Sequence, residues 1–69
     1  MSNSQEFARY YMVGTQLLHQ GKAEKATRPL EKALSLDPGH VDAAINLSST
    51  YILRKKFKQA VALLEPFSK

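Results

Sequence analysis

The sequence predicts an all-α fold made of two tandem helical hairpins. Three observations carry this. Apolar residues recur at three- and four-residue steps in four separate segments. Breaks of only two to four residues separate those segments, so neighbouring helices must fold back antiparallel. The second half of the chain also repeats the first at an offset of 34 residues. No stretch shows strand alternation, and no linker or low-complexity tract interrupts the 69 residues, which suit a single domain.

The first helix is expected from about Ser4 to Gln20. Phe7, Tyr10, Tyr11, Gly14, Leu17 and Leu18 share one face. Ser4 suits the N-cap, Glu6 suits the positive end of the helix dipole, and Gly21 suits the stop. The second helix is expected from about Lys22 to Leu36, with Ala23, Ala26, Leu30, Ala33 and Leu34 as its stripe. Asp37-Pro38-Gly39 ends it, because proline restricts the residue before it and glycine permits the turn. Pro29 lies inside this helix and should kink it near Lys25.

The third helix is expected from about His40 to Arg54, with Val41, Ala44, Ile45, Leu47, Tyr51 and Ile52 apolar. The fourth runs from about Phe57 to Leu64, with Ala60, Val61, Leu63 and Leu64 apolar and Pro66 as its stop.

At the offset of 34, Val13 falls on Leu47, Gly14 on Ser48, Leu17 on Tyr51 and Leu18 on Ile52. Lys22 falls on Lys56, Ala26 on Ala60, Leu30 on Leu64 and Glu31 on Glu65. Small matches small, and large apolar matches large apolar. A unit of two helices with this period resembles the tetratricopeptide repeat family. The run from Leu30 to Gly39 looks most like the end of such a unit. The first unit spans about 7–40, and the second, about 41–69, is incomplete: Pro66 arrives early, Phe67 replaces a small residue, and no second Asp-Pro follows.

The resemblance implies a right-handed α–α superhelix fragment in which Gly14, Ala26, Ser48 and Ala60 let paired helices approach closely. It also implies a protein or peptide partner on the concave face lined by the first helix of each unit. Tyr11, Thr15, His19, Ile45, Asn46, Ser49, Ile52 and Leu53 fall there. Tyr11, Ile45 and Ile52 serve equally well as a groove or as packing for a further unit, whereas Leu18 suits the core. Some members of the family clamp a carboxylate with Lys, Asn and Arg. Asn46 matches that Asn, but Tyr11 and Thr15 stand at the first-unit positions, so the clamp is not expected here.

A stack of such units usually needs about three for stability. With two, Val61, Leu63 and Leu64 are candidates for self-association as a homodimer, or for cover by the next unit of a longer protein.

The charge of +4 permits an acidic partner without demanding one. Arg54, Lys55, Lys56 and Lys58 surround Phe57 and could contact phosphates, but a solvated turn explains them better, so nucleic acid is not the expected partner. Catalysis is not expected. Ser48, Ser49 and Thr50 have no His or carboxylate beside them in sequence, and His19 and His40 read as solvated. Capping explains Asp37 and Asp42. Cysteine is absent and no metal-ligand spacing occurs, so no cofactor or metal is expected. No apolar run approaches the ~20 residues of a membrane span and no leader pattern is visible, so the expected compartment is cytoplasmic.

Overall fold

The computed structural model describes residues 2–67, with side chains from residue 4 onward. Four helices follow one another: α1 (Ser2–His19), α2 (Ala23–Leu36), α3 (Val41–Leu53) and α4 (Phe57–Leu64), then a 3-10 turn over Glu65–Phe67. Each helix packs on the next, and α1 also meets α3. The described residues hold no strand. The result is a thin slab of 34 × 31 × 13 Å. Two hairpin turns, α1–α2 and α3–α4, lie at one end of the slab, and the α2–α3 turn lies at the other.

The two hairpin turns use the same closing device. Gly21 N–H donates to Leu18 O (3.0 Å) and Lys22 N–H to Leu17 O (2.9 Å). One repeat later, Lys55 N–H donates to Ile52 O (2.9 Å) and Lys56 N–H to Tyr51 O (2.8 Å). These paired bonds satisfy carbonyls that the helix end leaves open, and they require a left-handed residue just past it. Gly21 adopts φ 79 without strain, but the second turn places Lys55 at φ 62. A side chain in that region costs about 1–2 kcal/mol.

Several helix ends differ from expectation. Ser4 lies inside the first turn of α1, which already begins at Ser2, so it is not the cap. α2 begins at Ala23 and runs unbroken through Pro29. α3 is capped by His40, whose Nδ1 accepts from Ala43 N–H at 3.1 Å. Asp37 instead closes α2 through its backbone N–H to Ala33 O, and Asp42 lies in the first turn of α3. α4 has 8 residues against 14 in α2, so the second unit ends early in a 3-10 turn.

The core is built from small residues at close helix contacts. Ala26, Ala33, Ala43 and Ala44 are fully buried, and Leu30 and Thr50 are the largest side chains so enclosed. Ala26, Leu30, Leu47, Tyr51 and Ala60 form one cluster, with Tyr11, Leu17, Leu18, Leu34 and Leu63 packed around it. Gly14 sets the approach of α1 to α2, since a Cβ there would lie 2.6 Å from Leu30 Cγ. Ser48, its counterpart one repeat on, is buried and returns its hydroxyl to Ile45 O at 3.2 Å.

Polar bonds fasten the second unit to the first. Tyr51 O–H donates to Glu31 Oε2 at 2.7 Å, and Arg54 Nη1 donates to Thr27 Oγ1 at 3.0 Å. Thr27 in turn donates to Ala23 O at 2.9 Å. Among the described residues, no buried side-chain nitrogen or oxygen lacks a hydrogen bond. Burial, then the bond to the Glu31 carboxylate and its charge, push the Tyr51 phenol up to about 12, and Arg54 partly opposes them.

Candidate partner-binding face

The face shared by α1 and α3 gathers one polar centre and an apolar surround. Tyr11 and Thr15 are one turn apart on α1 and point the same way. Asn46 reaches them from α3. Its Nδ2 donates to Thr15 Oγ1 at 3.2 Å and, more weakly, to Tyr11 Oη at 3.4 Å. The amide therefore ties the first helices of the two units together.

An aromatic group adjoins this centre. Phe7 stacks on Tyr11 with ring centres 5.5 Å apart and planes at 11°. His40 closes the group at 4.6 Å from Phe7 and 5.4 Å from Tyr11. His40 is thus a half-buried cap and packing residue, not a solvated side chain. A shallow, mainly apolar groove of about 520 Å³ follows α1 past Phe7, Tyr11, Met12, Thr15 and His19.

Tyr11, Thr15 and Asn46 are therefore joined directly, and His19 lies exposed at the end of the same groove. Ile45 and Ile52 are 47% and 48% exposed along α3, with Ser49 half-buried between them. Leu53 is 62% exposed but lines a different groove, beside Lys22, Lys25, Arg54 and Lys56. Two contributors escaped the sequence reading. Phe7 stood on the apolar stripe of α1 but was not among the expected concave residues, and Met12, 65% exposed, lay off that stripe. Met12 is one residue after Tyr11 and one turn from Ala8 and Gln16, so a second row of four-residue spacing was the available signal.

On α4, Val61 is 65% exposed, while Leu63 and Leu64 are half-buried and Leu63 packs on the core cluster. At the α3–α4 turn, Arg54 is half-buried on Thr27, whereas Lys55, Lys56 and Lys58 are exposed. The described residues contain no cluster of His, Cys, Asp or Glu able to hold a metal, and none of their helices is long and apolar enough to cross a membrane.

No curated protein sequence and no solved structure matches the chain. The sequence model of the tetratricopeptide repeat matches residues 17–67, which take in the last three residues of α1 and all of α2, α3 and α4. With four antiparallel helices in two equivalent hairpins, the chain belongs to the tetratricopeptide repeat family, which generally serves protein–protein interaction.

Proposed function

We propose that the chain is a non-enzymatic scaffold that binds a peptide or protein segment across the α1–α3 face. The observation that carries this is the pairing of exposed apolar side chains with a fixed polar centre. Met12, Ile45 and Ile52 offer apolar area to a partner, and the Tyr11–Thr15–Asn46 group offers hydrogen bonding at a fixed position. Apolar anchors supply most of the affinity at such a surface, and polar groups set register. The aromatic group of Phe7, Tyr11 and His40 holds one wall in place, which lowers the ordering cost of binding.

Selection from a displayed peptide library tests the reading. Binders are expected to lose affinity for Ile45→Glu and Met12→Glu and to keep it for Val61→Glu. Binders indifferent to the first two substitutions would place the site elsewhere.

A second reading rests on α4. Phe57 and Val61 are 57% and 65% exposed there, and a second copy of the chain, or a further repeat of a longer protein, would cover them. Sedimentation equilibrium separates the readings. A dimer that Val61→Glu returns to monomer favours self-association, and a monomer at all concentrations removes it. Val61 is the better probe, since Leu63 packs on the core.

A further inference from the structure

We infer that the end of the slab formed by the two hairpin turns is a second binding site, and that its ligand is an acidic, carboxylate-rich peptide segment. It is separate from the α1–α3 face.

The charge of the chain is concentrated at this end. Lys22 and Lys25 lie at the start of α2, and Arg54, Lys55, Lys56 and Lys58 lie at the α3–α4 turn. These are six of the ten cationic side chains, and Glu24 is the one carboxylate among them. By sequence, the other four cations, Arg9, Arg28, Lys32 and Lys69, are outnumbered by five carboxylates, Glu6, Glu31, Asp37, Asp42 and Glu65. The formal charge of +4 therefore arises wholly at the hairpin turns, and the rest of the chain is slightly acidic.

The repeat explains why the cations converge. Both turns close in the same way, so Lys22 and Lys56 occupy equivalent positions on adjacent units, and both line one groove. Between them lies a groove of about 510 Å³, lined by Lys22, Lys25, Leu53, Arg54 and Lys56 together with Glu24. Arg54 is held in its wall by the bond to Thr27 (3.0 Å), and Lys22, Lys25 and Lys56 are exposed.

The shape and lining favour a peptide over a nucleic acid. Leu53 gives this groove an apolar wall, and no aromatic side chain lines it for a base to stack on; Phe57, 57% exposed among Lys55, Lys56 and Lys58, lies in the adjoining depression. Carboxylates would meet the lysine ammonium groups, and an apolar residue of the same segment would rest on Leu53. Clustered like charges of this kind raise the encounter rate and select partners by sign.

Binding is read by fluorescence anisotropy with a short labelled peptide of glutamates and one central leucine. An oligothymidylate of equal net charge is titrated in parallel. Lys22→Glu/Lys56→Glu is expected to weaken the peptide at least about tenfold, because two attractions become repulsions. Arg28→Glu/Lys32→Glu makes the same change in net charge away from the groove and is expected to stay within about twofold. Amide shift mapping on the unsubstituted chain is expected to move Ala23, Leu53 and Lys56, and this readout is independent of whether the variants fold. Equal weakening by both pairs, tighter binding of the oligothymidylate, no binding of the peptide, or shifts confined to Tyr11 and Ile45 would each overturn the assignment. The last result would leave the α1–α3 face standing as the peptide site.

Discussion

Adding one methyl group at Gly14 should loosen the joint between α1 and α2. The new Cβ would lie 2.6 Å from Leu30 Cγ, 2.8 Å from its Cδ2 and 3.2 Å from its backbone nitrogen. Leu30 is fully buried, so its side chain has no open space to turn into, and the backbone contact cannot be relieved by a rotamer. Overpacking of this kind costs about 1–3 kcal/mol. Replacing a helical glycine by alanine returns about 1 kcal/mol through helix propensity. The expected net is a loss of up to about 2 kcal/mol, or a fall in Tm of up to roughly 16 °C for a domain of this size. Thermal and urea unfolding followed by far-UV circular dichroism measures it. The double variant with Leu30→Ala sharpens the test. That truncation alone should cost about 2–5 kcal/mol, but in its background Gly14→Ala should be neutral or stabilising, because the methyl enters the space left by the leucine. If Gly14→Ala alone raises the urea midpoint, the close approach does not set the helix spacing and the reasoning is refuted.

Two other perturbations follow from the turns and the inter-unit bonds. Lys55→Gly removes a side chain from φ 62 and is expected to raise stability by about 1 kcal/mol in the same unfolding assay; Gly21→Lys, at φ 79, should lower it. Tyr51 is pushed up to about 12 in the folded chain, above its ordinary 10.0, so folding favours the protonated phenol. Its contribution is whole below pH 10 and declines as pH rises from there through about 12, and Tyr51→Phe should flatten stability across that window.

Both hairpins were legible because helical spacing and the 34-residue repeat report the same periodic packing. Gly14 and Ala26 announced themselves as small residues at matched positions, and the structure places both in close helix contact. Cap chemistry was harder to see. Asp37 and Asp42 are better capping types than His40, yet the ring of His40 takes the Ala43 N–H because Phe7 and Tyr11 hold it there. That arrangement depends on two residues of α1, 29 and 33 positions earlier, and local propensity does not encode it. Asn46 was legible as a concave residue, but its bonds to Tyr11 and Thr15 follow from how the two units register. Leu53 went to the basic groove instead of the concave strip because a single helical step, 100° of rotation, separates it from Ile52.

The brevity of α4 has a dynamic consequence. Isolated helices shorter than ~12–15 residues are marginal in water, and α4 has only 8, with Ala60 its sole buried side chain. Its neighbours form a tighter set, tied by the Asn46, Tyr51 and Arg54 bonds between the units. Among the four helices, α4 is therefore expected to exchange its amide protons first, through excursions in which it lifts off while α1, α2 and α3 stay folded, and hydrogen exchange measures this. Each excursion bares the flank of α3 that Ala60 covered and presents a vacancy the width of one helix. A helix from another polypeptide, longer and better capped than α4, would compete for that berth by exchange and not by docking on a fixed surface.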